Sequence, residues 1–348
     1  MRKPLLKLHD ALSIPLVGVL LLVSVAVTGC GGGGAAAFQG PPPRSTPTPT
    51  QCRSCLAAEY TIPTAHSFPY SITAGPDGNL WFTEQNANKI GKITPGGTIT
   101  EFSIPATGGS IPFGITAGPD GNLWFVKIAT AEDDLVRITP TGVITEFPTP
   151  AGVLPIAIAT GSDGNLWFAE NLGGKIGKMT TAGGVTEFAL STSSPGLVDI
   201  TAGPDGNLWF IEATANKIGK ITTAGAVTEF SIPTAAAAPG RIATGPDGNL
   251  WFTEVATSKI GRITTVGTIT EFPVLTVGSN PFGITSGPGG NVWFVEGDGS
   301  VGRITTAGSV AEFPGAPFGS NPLGLAAGPD GNLWFTENSG NKIGKFIP

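Results

Sequence analysis

Seven tryptophans, Trp81, Trp124, Trp167, Trp209, Trp251, Trp293 and Trp334, stand 43, 43, 42, 42, 42 and 41 residues apart. That period is the size of one four-stranded propeller blade, and a repeat this short buries its faces only against its neighbours. The first unit reads PYSITAGPDGNLWFTEQNANKIGKITPGGTITEF. Its pattern predicts four strands, Tyr70–Ala74, Asn79–Glu84, Lys89–Thr94 and Thr98–Phe102. Gly75-Pro76-Asp77-Gly78 is the turn between the first two, with Pro setting φ and Gly supplying a positive φ. Only 13% of residues are charged, whereas Gly (52) and Pro (31) are abundant, as many short strands joined by tight turns require. The expected fold is all-β, a seven-bladed β-propeller of four-stranded blades. One large ring per blade fills the wedge between neighbouring sheets, so the tryptophans need no ligand to explain them.

The ends of the repeat array predict how the ring closes. The last repeat stops at GKFIP (344–348), without an outer strand, while the unmatched AEYTIPT (58–64) resembles TEFSIPT (228–234). The N-terminal segment is therefore expected to complete the last blade and remove its open edge.

Ahead of the repeats, Arg2, Lys3 and Lys7 precede an apolar run from Ile14 to Val27, the length of a signal-peptide core and too short to span a bilayer. The run ends in Val27-Thr28-Gly29-Cys30, which resembles the lipobox of bacterial lipoproteins. The expected organisation is a lipoprotein signal peptide (1–30) with Cys30 as the lipidated residue, a Gly/Pro/Thr-rich linker (31–56) and the propeller (57–348). These features place the chain in the bacterial cell envelope, exported and held to a membrane only through its lipid. Cys52 and Cys55 form CRSC followed by Leu56, so haem attachment lacks its histidine and a local disulfide is the expected state.

Formal charge is −6, and about −8 once Arg2, Lys3, Lys7 and Asp10 are removed. An acidic surface without a basic run argues against nucleic acid. A monomer binding a small molecule or glycan is the expected partner class.

Units such as PFGITAGPDGNLWFV (112–126) and NKIGKITTAGAVTEFSIPT (216–234) are similar to those of the streptogramin B (virginiamycin B) lyase family, over about residues 57–348. The resemblance implies a seven-bladed propeller that opens the ester ring of type B streptogramins by elimination, with Mg²⁺ and a histidine base. In that family the histidines follow the proline opening an inner strand (P-H-x-I), and a metal-holding Glu follows fourteen residues later in W-F-x-E. Here the histidine positions hold Tyr70, Phe113, Ile156, Val198, Gly240, Phe282 and Leu323, and the only histidines are His9 and His66. The carboxylate positions are kept: Glu84, Glu170, Glu212, Glu254, Glu296 and Glu337, with Lys127 in the second blade.

Tyr70 and Glu84 lie symmetrically about Asp77, so a regular hairpin makes them cross-strand neighbours near the channel opening. Six carboxylates there predict either an oxygen-rich site for Mg²⁺ or Ca²⁺, or simple strand ends bonded to backbone N–H groups. Lys127, and a loop two residues longer with Glu132, Asp133 and Asp134, break the repeat. Asp199 and Arg241 stand one residue past the histidine position in adjacent blades, placed for an ion pair or a ligand. Tyr70, Phe113, Lys127, Asp199, Arg241 and Phe282 are the expected channel-face contacts. Three functions fit: a divalent-metal lyase or hydrolase acting on a lactone or cyclic ester, a non-catalytic binding propeller, and a structural envelope component.

Overall fold

The computed structural model describes residues 55–105, 110–129 and 132–348. Seven antiparallel four-stranded sheets follow one another along the chain, each ordered from its first strand to its fourth. In the first blade the strands are Pro69–Ala74, Leu80–Glu84, Lys89–Ile93 and Ile99–Ser103, within one or two residues of expectation. The first strand of every blade packs against the first strands of both neighbours, which closes the ring around a central channel.

Closure is by the N-terminal strand. The seventh sheet joins Pro322–Ala327, Leu333–Glu337 and Lys342–Ile347 to Cys55–Thr61. Tyr60 pairs with Ile343 and Thr61 with Lys342. The strand starts at Cys55, so this residue belongs to the blade and not to the linker ending at 56. Cys30, Cys52 and the proposed CRSC disulfide lie outside the described residues.

Each blade is organised around its tryptophan. All seven are at most 1% exposed, and Trp81 stacks on Phe102 of the outer strand with ring centroids 5.4 Å apart. Its Nε1–H donates to Asp77 Oδ1 at 3.0 Å, and Asp77 Oδ2 accepts from Asn79 Nδ2 at 2.9 Å. The Pro-Asp-Gly-Asn sequence is thus both the turn and the acceptor that satisfies a buried indole. The sixth blade alone carries Gly289 in place of the aspartate, and there Trp293 Nε1 donates to the Pro288 carbonyl at 3.2 Å. The glycine of the Lys-Ile-Gly-Lys strand has a packing cause. A Cβ on Gly91 would lie 2.1 Å from the Phe82 ring.

Candidate functional site

The inner strands carry the departure that defines the site. Pro69, not Tyr70, lies opposite Glu84, and the register slips between Pro69 and Ile72 before Ile72 pairs with Phe82. All seven blades have this irregularity at the same place. The freed amide in the bulge is answered by the second strand: Ser71 N donates to Thr83 Oγ1 at 3.1 Å and Arg241 N to Thr253 Oγ1 at 3.0 Å. Because side chains alternate with a period of two, one inserted residue puts Tyr70 and Glu84 on different sides. Tyr70 turns to the channel and Glu84 into the blade.

Five of the expected contacts meet in the channel. Arg241 of the fifth blade pairs with Asp199 of the fourth, Nη1 to Oδ1 at 3.3 Å, and Asp199 Oδ2 also accepts from Ile242 N at 2.9 Å. The guanidinium lies 4.8 Å from the centre of the Tyr70 ring and 5.3 Å from that of Phe282. Phe113 meets Tyr70 edge-on at 5.5 Å. The ion pair across blades is therefore real, and it holds the cation between two aromatic faces. Arg241 Nη2 is buried without a regular hydrogen bond, and the Tyr70 hydroxyl is the other polar group that interacts with the guanidinium besides Asp199. A cavity of about 110 Å³ opens between Asp199, Arg241, Ser71, Ile284 and Leu323.

The six ring carboxylates do not converge on that channel, which corrects the expected shared opening. Glu84, Glu170, Glu212, Glu254, Glu296 and Glu337 are each at most 1% exposed inside their own blade. Glu84 interacts with Glu101 of the outer strand, Lys89 of the third strand and Ser67 of the preceding connection. Ser67 and Thr192 approach Glu84 and Glu212, but no oxygen of Glu84, Glu170, Glu212 or Glu337 makes a hydrogen bond of regular geometry. Burial, then the charge of Glu101, pushes Glu84 up to about 8. Glu170, Glu296 and Glu337 also rise to about 8, and Glu212 and Glu254 to about 7, burial being the first cause in each. The outer-strand partner moves the other way where its bonds outweigh burial. Hydrogen bonds from Lys217, Thr192 and Ser191 hold Glu229 at about 2.

These residues form a repeated unit of two carboxyls and one ammonium. Lys89, Lys175, Lys217, Lys259 and Lys342 lie 2.8–3.1 Å from Glu101, Glu187, Glu229, Glu271 and Glu59 respectively. In the second blade the charges are exchanged. Lys127 takes the glutamate position and Asp134 the lysine position, with Lys127 Nζ 2.5 Å from Asp134 and 2.8 Å from Glu146. Lys127 is thus a compensated swap inside the blade and does not join the channel cluster. Comparing repeats in register would have revealed it, since Glu84 faces Lys89 as Lys127 faces Asp134.

The donor set does not suit Mg²⁺ or Ca²⁺ at this ring. Such ions take six or more oxygens, largely ionised. Here the carboxyls are dispersed among blades and harder to ionise, and no group of three His, Cys, Asp or Glu among the described residues could hold a metal. His66 is exposed in the connection between the closing strand and the first blade, with φ at 53°.

A sequence profile of the virginiamycin B lyase family matches residues 53–297 and 283–348. Virginiamycin B lyase of Saccharopolyspora erythraea is 42% identical over 54 residues, a segment covering 16% of this chain and only 18% of that relative. A solved streptogramin B lyase superposes with a TM-score of 0.78 at 36% identity, covering 84% of this chain and 97% of that one. A catalytically inactive histidine-to-alanine variant of virginiamycin B lyase from Staphylococcus aureus, solved with quinupristin, has the same TM-score at 38% identity, covering 84% and 99%. The chain belongs to the virginiamycin B lyase family.

Proposed function

We propose that this chain is an exported, lipid-anchored propeller that binds a small molecule at its channel and does not open the streptogramin ring. The observation that carries the reading is Arg241, held by Asp199 between Tyr70 and Phe282 with one buried N–H group lacking a regular hydrogen bond. A guanidinium framed by aromatic rings suits a ligand with an apolar or aromatic ring and a carbonyl or carboxylate oxygen. Such a ligand gives Nη2 an acceptor in regular geometry, which it lacks within the protein.

The chemistry of elimination supports the negative half. Removing a carbon-bound proton near neutral pH calls for a positioned base, worth about 10²–10⁴ in rate. The positions matching the family's histidines carry Tyr70, Phe113, Ile156, Val198, Gly240, Phe282 and Leu323. None of the seven is a histidine or a carboxylate, and six of them carry no titratable group at all. In the Staphylococcus aureus relative, replacing one histidine leaves an inactive protein that still accompanies quinupristin. Quinupristin is therefore the probe. Incubation with excess Mg²⁺ is expected to give no linear product by mass spectrometry. Calorimetry is expected to show saturable binding, weakened at least about tenfold in Arg241→Met through loss of the charge-assisted bond. Mg²⁺-dependent ring opening by the unmodified chain would overturn the reading.

The anchor is tested separately. Cys30→Ala is expected to abolish labelling by a radioactive fatty acid and to release the protein from membranes. Retained label in this variant would place the acylated thiol elsewhere.

A further inference from the structure

The sixth blade keeps the clamp that its neighbours use for a lysine ammonium but has lost the lysine. In the first, fourth and fifth blades, Nζ sits between a threonine hydroxyl and Oε2 of the outer-strand glutamate. Lys89 lies 2.6 Å from Thr64 Oγ1 and 3.0 Å from Glu101. Lys217 lies 2.8 Å from both Thr192 and Glu229, and Lys259 lies 2.6 Å from Thr234 and 3.1 Å from Glu271. The sixth blade preserves the two acceptors. Thr276 Oγ1 is 2.7 Å from Glu312 Oε2, while Glu312 Oε1 is fixed by Leu275 N at 2.6 Å and Thr276 N at 3.0 Å.

Register identifies what replaced the lysine. Lys89 precedes Ile90, which pairs with Phe102, and Ser300 precedes Val301, which pairs with Phe313. Ser300 therefore occupies the lysine position, at the end of a turn one residue shorter. The missing side chain is matched by space. Ser300, Asp298, Glu312, Phe313 and Ala316 line a cavity of about 370 Å³.

Charge points the same way. Five blades set one ammonium against two carboxyls, and the second blade keeps that balance by its swap. The sixth sets Glu296, Asp298 and Glu312 together with no cation on the third strand's leading position. Glu296 is fully buried; Ser279 donates to its Oε1, while Oε2 has no partner and lies within the field of both Glu312 and Asp298. The cavity wall also carries apolar groups, Phe313, Pro314 and Ala316.

We infer that the sixth-blade cavity binds a primary aliphatic ammonium ion, which donates N–H groups to Glu312 Oε2 and to Thr276 Oγ1 beside it, with its carbon chain against Phe313 and Ala316. The other blades supply the precedent, since the same threonine–glutamate pair holds an ammonium at hydrogen-bond distance in three of them. A divalent metal is disfavoured because the pair offers two acceptors at N–H spacing, short of the six to eight oxygens a calcium ion takes. The site is independent of the channel reading and shares no residue with it.

The test is a calorimetric titration of the purified full chain with butylammonium, tetramethylammonium and Mg²⁺, beside two variants. Butylammonium is expected to bind saturably at millimolar concentration, and tetramethylammonium, which has no N–H, at least about tenfold more weakly. Glu312→Gln should weaken butylammonium by a similar factor. Ser300→Lys supplies the ammonium within the chain, so it should abolish butylammonium binding and raise the melting temperature. Three results would overturn the inference: no saturable binding of butylammonium, equal binding of tetramethylammonium or Mg²⁺, or undiminished binding in a folded Ser300→Lys protein.

Discussion

Raising the pH from about 5 to about 8 is expected to destabilise the propeller strongly, because its six ring carboxyls bind protons more tightly folded than unfolded. Their ordinary value is 4.5, and burial lifts them to about 7 or 8 in the native blades. Between those limits the folded chain holds more protons than the unfolded one. Stability from this source is complete below about 4.5 and is lost as pH climbs through 7 and 8. A tenfold difference in ionisation is worth about 1.4 kcal/mol per group, so six groups displaced to about 7 or 8 lose at least on the order of 8 kcal/mol over that interval. The turn aspartates work in the opposite sense at lower pH. Asp77, Asp120, Asp163, Asp205 and Asp247 are held low, with indole and Asn79-type bonds outweighing burial, so their contribution disappears as pH falls below the usual carboxylate range. Maximum stability should therefore lie at mildly acidic pH. Denaturant melts at fixed ionic strength across pH 4 to 9 measure it. Glu84→Gln, which imitates the protonated form, should flatten the slope by about one proton. A level profile between about pH 5 and 8 would mean that the ring carboxyls ionise at ordinary values and that the blades admit water around them.

Deleting residues 57–64 is expected to cost at least about 5 kcal/mol, through lost aromatic and aliphatic burial alone. Tyr60 stacks on Trp334 with centroids 5.6 Å apart, and Ile62 is 1% exposed. The deletion also removes Glu59 from Lys342 and Thr64 from Glu101, and strips Lys342–Ile347 of its partner strand. The exposed edge should promote association between copies. Removing residues 35–50, rich in Pro, Thr and Ala, should leave the melting temperature nearly unchanged. Equal melting temperatures for the two truncations would show that closure by the N-terminal strand contributes nothing measurable.

The channel cluster was partly legible before the fold was known. Asp199 and Arg241 stood out because they interrupt repeats that otherwise carry Ser, Gly or Ala there, and the structure pairs them. That Arg241 also reaches Tyr70 of the first blade was not legible, since four blade boundaries separate the two in sequence and only ring closure makes them neighbours. The glutamates misled for a different reason. A structural residue copied by duplication repeats as faithfully as a ligand, so recurrence alone did not distinguish the two.

Sequence alone determined the number of blades, the tryptophan cores and the closure. The spacing of Trp81 to Trp334 measures a unit that each stretch of chain builds locally, and a last repeat without an outer strand has one candidate to supply it. Tertiary structure decided where the functional side chains point. Hairpin symmetry about Asp77 put Tyr70 opposite Glu84, but the bulge after Pro69 moves the register by one residue. With side chains alternating every residue, that single step sends the tyrosine to the channel and the carboxyl into the blade. The slip lies in the pairing between the first and second strands of each blade, a register that residue spacing about the turn does not specify.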